Sequence, residues 1–431
     1  MNDYKKDLDE LIAQLKAGVS PFHTIRFNAE ILEKQGFEEL QLGQPWNLMA
    51  GHGYFVNAYD TTLIGFTIGN DAKEHPSLRM AASHTDWPCL MVKPSPEIAT
   101  GSYGKLNVAT YGGAILSTWM DRALSMAGKV CTSGSDAFHP DVHFVDFKRP
   151  LLTVPNLAIH FNREVNSGVE LNPQIDMQPI ITMLDDTLNK DNFFLDLLSD
   201  EIGIPKEKIL DYEFYIYNCD EPQILGIHEE FLSSPRLDNL TSVHSCMSGL
   251  LETGRKEGIR VAALYDNEEI GSSTKQGAAS PLLDRILEKI YLSLGYSRSD
   301  YLDALFNGFL LSLDVAHAFH PNKADKYDPK NRVSLNEGLA LKLAVSQAYS
   351  TDASHISVME DLCRLNAIPY KKFSNRSDIK GGSTLGSISS CLLNMPTVDA
   401  GVAILAMHSA RELMGVKDQW ALAELTRKFL A

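Results

Sequence analysis

The segment from Ile259 to Gly271 reads I-R-V-A-A-L-Y-D-N-E-E-I-G and places two adjacent carboxylates just after an apolar run. Its first seven residues favour a buried strand, and Glu268 and Glu269 follow in a polar turn that a glycine closes. Carboxylates at the mouth of a buried strand lose hydration unless cations or hydrogen-bond donors compensate them. One of the pair is therefore expected to bind a metal ion while the other takes a proton from water. The alternative is a solvated acidic loop.

Three further apolar runs also end in side chains that bind metals. They end at His84, Asp314 and His408. His84 and Asp86 share a face of an extended segment, so Asp86 is expected to hold the imidazole in one tautomer. In an open α/β sheet, sites form beyond the carboxyl ends of the strands, where loops converge on a rigid edge. Four such endings in one chain favour a shared metal site over four solvated loops.

A fifth candidate, Asp238, lies in a proline-bearing loop immediately before a helical pattern. Two readings stay open for it, a helix N-cap or a metal ligand.

The alternation of strand-like runs with helical patterns predicts an α/β fold with a mixed central sheet flanked by helices. Between about 94 and 230 the pattern changes to short strands punctuated by Gly, Pro and Thr. We therefore predict a discontinuous catalytic domain, 1–93 with 231–431, and an inserted β-rich domain, 94–230.

Composition narrows the functional classes. The chain has 431 residues, a formal net charge of −16 and no clustered Lys or Arg, which argues against a nucleic-acid partner. No stretch of about 20 apolar residues is present to span a bilayer, so no membrane partner is expected. Six scattered cysteines without C-x-x-C spacing fit reduced thiols, and we expect a cytoplasmic protein.

Two histidines and three carboxylates suit two divalent ions, Zn²⁺ first, with Mn²⁺ or Co²⁺ possible. One arrangement places His84 with Asp314 on one ion and Glu269 with His408 on the other, with Asp238 bridging them. Ions about 3.5–4 Å apart would share a water and lower its pKa. Glu268 would then take the proton and pass it to the leaving amine.

Six segments together resemble the aspartyl aminopeptidase family of dinuclear zinc exopeptidases. They are S-H-T-D-W-P-C-L-M-V-K-P, S-S-P-R-L-D-N-L, Y-D-N-E-E-I-G-S, S-L-D-V-A-H-A-F-H-P-N, N-R-S-D-I-K-G-G-S-T-L-G and A-M-H-S-A-R-E-L, in the family's order over about the whole chain. The resemblance implies a zinc-exopeptidase fold and an aminopeptidase acting on peptides with a free N-terminus. It implies the metal ligands His84, Asp238, Glu269, Asp314 and His408, with Glu268 as general base and Asp86 as the group that orients the imidazole.

The same resemblance implies an assembly. The inserted domain would mediate dimerisation, and dimers would build a tetrahedral dodecamer whose active sites face an internal chamber. His160, in P-N-L-A-I-H-F, matches a histidine that reaches a neighbouring subunit's active site in that family. A donor at that place would stabilise the oxyanion of the tetrahedral intermediate.

Two departures from the family pattern bear on substrate choice. Family members that prefer acidic N-terminal residues carry a lysine where this chain has Ser346. The R-N-D-x-P-C-G-S-T-x-G-like run appears here as Arg376-Ser377-Asp378, with Lys380 and Gly381 in place of the Pro-Cys pair. Lys380 either restores a local positive charge or is simply solvated. We hypothesise that the enzyme accepts neutral N-terminal residues as well as, or instead of, Asp and Glu.

Two other functions remain open. A dinuclear metal deacylase or dipeptidase would use the same ions and the same base. A non-catalytic assembly protein could keep the fold, although the presence of Glu268 beside all five candidate ligands argues for catalysis.

Overall fold

The computed structural model describes residues 4–72, 74–184, 191–252 and 257–431. Numbered along this part of the chain, the α-helices are α1 Tyr4–Ala17, α2 Pro21–Lys34, α3 Pro173–Asp176, α4 Phe193–Ile202, α5 Leu237–Glu252, α6 Leu282–Ser293, α7 Arg298–Asn307, α8 Ala353–Leu365, α9 Leu385–Leu393 and α10 Asp418–Leu430. The strands are β1 Glu38–Glu39, β2 Gly53–Ala58, β3 Thr62–Ile68, β4 Leu78–His84, β5 Cys89–Thr100, β6 Tyr103–Tyr111, β7 Leu124–Asp136, β8 His139–Asp146, β9 Ile180–Met183, β10 Ile209–Asn218, β11 Gln223–Leu225, β12 Phe231–Ser234, β13 Ile259–Tyr265, β14 Phe309–Leu313, β15 Ala316–His317, β16 Leu339–Leu343, β17 Tyr370–Ser374, β18 Thr397–Gly401, β19 Ala403–Leu405 and β20 Glu412–Gly415.

The chain divides into two compact units. Unit 1 comprises Met1–Asp86, Pro222–Met407 and Glu412–Ala431, and unit 2 comprises Trp87–Glu221 with the short segment His408–Arg411. Unit 2 is thus interposed in the sequence of unit 1. Unit 1 contains a nine-stranded and a five-stranded sheet, and unit 2 contains a six-stranded sheet.

Unit 1 is built on a nine-stranded mixed sheet in the order β1-β2-β3-β13-β4-β14-β18-β16-β17. Its centre is parallel, because β4 pairs in parallel with both β13 and β14, and β14 pairs in parallel with β18. β13 is buried along its whole length, as expected for a central strand covered on both faces. The parallel centre brings the carboxyl ends of β4, β13 and β14 to one edge.

Helices cover both faces of this sheet, and alternate strand residues point to each face. On one face Met80 and Val261 belong to a buried cluster with Leu283 and Ile286 of α6. On the other, α5 and α10 pack closely enough that a Cβ at Gly249 would lie 2.7 Å from the Thr426 methyl carbon. The predicted α/β class, with a mixed sheet flanked by helices, is confirmed.

The fourth apolar run differs from its expected form. We expected 401–408 to be one strand ending in His408, like the runs ending at His84 and Asp314. Instead Gly401 ends β18, and β19 continues in a separate five-stranded sheet ordered β11-β12-β20-β19-β15. The chain leaves the large sheet at Gly401, which packs so closely against the Asp314 backbone that a Cβ would lie 1.8 Å from the carbonyl oxygen.

Unit 2 contains a six-stranded antiparallel sheet in the order β8-β7-β10-β5-β6-β9. β10 pairs with β7 over most of its length, whereas it pairs with β5 only through Tyr215 and Ile216. The β5–β6 and β7–β8 pairs have irregular registers. The helix α4 packs on this sheet through aromatic side chains. The ring centroid of Phe194 from α4 lies 6.0 Å from that of Phe214 in β10, in an edge-to-face arrangement.

None of the helices in the described ranges has both the length and the apolar character needed to cross a membrane.

Candidate metal centre

The ends of β4 and β13 are tied together beside His84. Thr85 donates its backbone N–H to the Tyr265 carbonyl at 2.7 Å, and its hydroxyl donates to the same oxygen at 3.1 Å. His84 ends β4 with its side chain only 1% exposed, and its Nδ1 lies 3.0 Å from the Asp86 carbonyl oxygen. A carbonyl only accepts, so Nδ1 is the donor and Nε2 is directed away from it.

Asp86 organises the turn that carries Glu268 and Glu269. This turn is a short 3₁₀ segment, Glu268–Ile270, entered through Asn267 in the left-handed conformation. The two carboxylate oxygens of Asp86 accept the backbone N–H groups of Glu268 and Glu269, each at 3.1 Å. Asp86 therefore orients the imidazole mainly through its backbone oxygen, because its nearer carboxylate oxygen is 3.4 Å from Nδ1, and its carboxylate fixes the turn.

Asp238 and Asp314 are brought together by the start of α5. Asn239 donates its side-chain amide to the Leu313 carbonyl at 2.9 Å, at the end of β14. The Asp238 backbone N–H donates to the Glu412 carboxylate at 3.0 Å. The backbone of Asp238 is not helical, so this residue precedes the regular helix while its carboxylate points toward His84.

The distances within this cluster match a metal-ligand set. The Nε2 atom of His84 lies 3.5 Å from Asp238 Oδ1 and 3.6 Å from Asp314 Oδ1. Ligand atoms bonded to a tetrahedral zinc at 2.0–2.1 Å are separated by about 3.3 Å. Glu268 and Glu269 each place a carboxylate oxygen within 4.8 Å of a His84 ring nitrogen. Imidazole and carboxylate donors suit Zn²⁺, Mn²⁺ or Co²⁺, so the residues present fit the ions predicted from the sequence.

The pKa shifts within the cluster also favour a bound cation. Burial, and then the charges of Asp314, Asp86 and Asp238, raise the pKa of Glu268 to about 8, although His84 opposes them. Burial lowers the pKa of His84, but hydrogen bonds to Asp314 and Asp86 outweigh it and raise that pKa well above its usual value. The carboxylates thus crowd one another, and bound cations would relieve the repulsion.

A buried lysine borders the same cluster. Lys342 of β16 is 3% exposed, and its Nζ lies 3.7 Å from Asp314 Oδ2 and 2.9 Å from the Val315 carbonyl oxygen. Our reading of the sequence overlooked both Lys342 and Glu412. The available signal was a charged residue inside the apolar run L-A-L-K-L, a place where lysine is seldom found unless paired.

His408 lies in the short segment that belongs to unit 2, and its place is fixed there. Its Nδ1 lies 3.1 Å from the Gly113 carbonyl oxygen, and its own carbonyl accepts the N–H of Ile115 at 3.0 Å. The N–H of Ala410 donates to the Thr118 hydroxyl at 2.9 Å. The imidazole is therefore held through Nδ1, which is how proteins usually orient a histidine that binds a metal through Nε2.

The remaining predicted residues are exposed. His160 lies in an exposed segment of unit 2, outside its strands and helices. Ser346 and Lys380 lie in exposed loops of unit 1 that follow β16 and β17. Arg376 and Asp378 pair with each other, with a guanidinium–carboxylate distance of 2.7 Å.

Comparison with known proteins identifies the family. The family model described as aminopeptidase I zinc metalloprotease (M18) matches residues 14–430. A relative named probable M18 family aminopeptidase 2 from Clostridium acetobutylicum is 44% identical over 411 residues, covering 95% of each chain. The namesake from Clostridium novyi is 40% identical over 430 residues, covering 100% of this chain and 99% of its own.

Two solved structures share the fold. The chain resembles one in the cryo-EM structure of the Ape4 and Nbr1 complex, with a TM-score of 0.94, 32% identity and coverage of 99% of this chain and 86% of that one. It also resembles the S. cerevisiae mApe1 dodecamer, with a TM-score of 0.85, 24% identity and coverage of 99% and 97%. The family resemblance read from the sequence is confirmed by the family model and the relatives. The chain belongs to the aminopeptidase I zinc metalloprotease (M18) family and is a zinc-dependent aminopeptidase.

Proposed function

We propose that this aminopeptidase hydrolyses the N-terminal peptide bond at a centre of two divalent ions beside His84. The observation that carries the proposal is the convergence of His84, Asp238 and Asp314 at ligand spacing, with the buried Glu268 carboxylate next to them. When bound, the ions supply Lewis-acid polarisation of the peptide carbonyl and acidify the attacking water.

The proposed ligands are His84, Asp238, Glu269, Asp314 and His408. The first four belong to unit 1, and three of them already lie at the spacing a zinc ion requires. His408 is included because its Nδ1 is held by a carbonyl, which presents Nε2 as the ligand atom. Zinc is favoured by the family, and Mn²⁺ or Co²⁺ would suit the same oxygen and nitrogen donors.

Glu268 is the proposed general base. It accepts a proton from the attacking water and delivers it to the leaving amine. Asp86 keeps this carboxylate in place, because it accepts the backbone N–H groups of Glu268 and Glu269. The backbone carbonyl of Asp86 also holds the His84 ring, so one residue positions both a ligand and the base.

We propose that the segment 94–230 is an inserted dimerisation domain, within a dodecamer built from dimers. The S. cerevisiae mApe1 chain, which shares the fold, is described as a dodecamer. His160 would then act from a neighbouring subunit, where its imidazole donates to the oxyanion of the tetrahedral intermediate. The exposure of His160 supports this role, since a residue that acts on a partner must be accessible.

On the substrate side we propose peptides with a free N-terminus and no exclusive preference for acidic residues. Ser346 offers no cation to pair with an acidic side chain, and Lys380 lies in a different exposed loop. We also propose a cytoplasmic location, supported by six cysteines scattered along the sequence without C-x-x-C spacing.

The test combines metal analysis with a peptide panel. Purified enzyme should hold two zinc ions per chain and remove residues stepwise from long peptides. It should fail on the N-acetylated forms of the same peptides, and aminoacyl-nitroanilides should show activity on neutral residues. Cleavage of N-acylated substrates instead would favour a deacylase, and release only from dipeptides would favour a dipeptidase. Zinc binding without any turnover would favour an assembly protein.

A further inference from the structure

The side chain of Lys342 is almost fully buried and points at a proposed metal ligand. Its side chain is 3% exposed, and its ammonium donates to the backbone oxygen of Val315 at 2.9 Å. It also lies 3.3 Å from the backbone oxygen and 3.7 Å from the carboxylate of Asp314. Lys342 therefore contacts both the backbone and the side chain of the segment that carries this ligand.

Lys342 also has an aromatic neighbour and a buried carboxylate across the adjacent strand. In the β16–β18 register Lys342 stands opposite Asp399, whose side chain is fully buried. The Lys342 ammonium also lies 4.6 Å from the centre of the Tyr349 ring, within range of a cation–π interaction. A charge in contact with the Asp314 carboxylate, two backbone carbonyls and an aromatic face has little freedom to move.

The two oxygens of Asp314 consequently face different partners. Oδ2 faces Lys342, while Oδ1 lies 3.6 Å from His84 Nε2 within the proposed ligand set. A carboxylate fixed at one oxygen by a buried cation offers the other oxygen in a defined direction.

We propose that Lys342 is a positioning residue for Asp314: its ammonium holds one carboxylate oxygen and the adjoining backbone so that the other oxygen is presented to the metal centre. The inference rests on the proposed metal-ligand role of Asp314. It goes beyond that role because it assigns zinc affinity partly to a residue that touches no ion. Loss of a partner that orients a ligand typically weakens metal binding by about 10- to 100-fold.

The experiment is a double-mutant cycle on the full-length protein, read as the zinc dissociation constant from equilibrium dialysis against zinc buffers. Lys342→Met is expected to weaken zinc binding by about 10- to 100-fold, and Asp314→Asn to weaken it by at least as much. Added to Asp314→Asn, Lys342→Met should have little further effect, because the carboxylate it positions is already altered. Lys371→Met, the same change at an exposed lysine of β17, should leave the dissociation constant unchanged.

Each other outcome has one meaning. Unchanged zinc binding in Asp314→Asn would refute the proposed metal centre itself. Weakened binding in Asp314→Asn but not in Lys342→Met would refute the positioning role alone. Additive losses would show that Lys342 acts independently of Asp314 and would also refute it. Lys342→Gln, which keeps a donor for Val315 without the charge, gives the same readout if Lys342→Met does not fold, and unchanged binding in that variant would again refute the role.

Discussion

Two buried clusters of histidine and carboxylate in unit 1 look alike by composition and differ in charge balance. The first is the candidate metal centre around His84, Asp238 and Asp314. The second joins α1, α5 and α10 through Asp7, His244 and Arg427, and Asp7, Glu10 and His244 also satisfy the spacing of a metal-ligand group. A purely geometric criterion would therefore accept both clusters as metal sites.

The second cluster already contains its cation. Arg427 pairs with Asp7 through both terminal nitrogens, and its Nε lies 3.1 Å from the Glu252 carboxylate. Burial raises the pKa of Asp7, but hydrogen bonds from His244 and Arg427 outweigh it and hold that pKa below its usual value. In the first cluster the pKa of Glu268 is raised to about 8. Lys342 borders the first cluster, but its charge does not offset the carboxylates around Glu268. This difference in charge balance separates a structural ion network from the candidate metal site.

The largest effect is expected from Glu268→Gln, which removes the proposed base but leaves the proposed ligands. Turnover should fall by about 10²- to 10⁴-fold, because general base catalysis contributes that much to the rate. Zinc content, measured by elemental analysis on the same sample, should not change. Glu10→Gln, in the second cluster, is the matched control and should keep full activity. Unchanged turnover in Glu268→Gln would show that another group is the base.

Arg427→Met should strongly destabilise the protein without affecting metal. The variant leaves Asp7 buried without its main cation, and breaking a buried pair in this way costs about 3–5 kcal/mol in the free energy of unfolding. Urea denaturation measures the loss, and zinc per chain should stay at the wild-type value. Recovery of stability in the double variant Asp7→Asn with Arg427→Met would support the charge argument. Loss of zinc in Arg427→Met would mean that the two clusters are not independent.

Removal of zinc should lower the thermal stability of the protein, and the loss should depend on the first cluster and not on the second. Binding at a free zinc concentration 100 times the dissociation constant stabilises the folded state by about 2.7 kcal/mol, and chelation should remove this term. Thermal unfolding with and without chelator measures the shift. Asp238→Asn should reduce this chelator-induced shift, whereas His244→Asn should leave it at the wild-type value. Equal shifts in the two variants would contradict the conclusion that only the first cluster binds zinc.

The smallest effect concerns pH and the second cluster. The folded-state pKa of Asp7 is lower than its ordinary value of 3.8. Its contribution is therefore fully present above that value and is lost as the pH falls through the folded-state pKa. The stability difference between the wild type and Asp7→Asn should be largest near neutral pH and should narrow below about pH 4. Zinc-free urea denaturation across that range checks this, and a gap that widens in acid would contradict the assignment.

The two clusters also show how much the sequence could predict. Three apolar runs form β4, β13 and β14, and they end at or just before His84, Glu268, Glu269 and Asp314. The sequence therefore predicted both these strands and the position of these residues at the edge of the sheet. The run ending at His408 was read as a similar strand, but the chain bends at Gly401 into another sheet. At that bend Gly401 packs against the backbone of Asp314, a contact between distant segments that no local pattern encodes.

The pairing of buried charges was the property that the sequence predicted least well. Lys342 lies in an apolar strand and Asp399 lies opposite it, but the pairing of β16 with β18 joins segments almost sixty residues apart. Asp7 and Arg427 lie near opposite ends of the sequence, and their contact depends on how α1 and α10 pack. Local patterns therefore located the candidate ligands, whereas tertiary structure was needed to identify the cations that distinguish the two clusters.

Anomalous diffraction at the zinc absorption edge, from crystals of the zinc-loaded enzyme, tests the central claim most directly. We expect two peaks per chain within bonding distance of the ligand atoms of His84, Asp238, Glu269 and Asp314, and no peak between Asp7 and His244. A peak at the Asp7 cluster, or no peak beside His84, would contradict the conclusion that unbalanced charge marks the metal site.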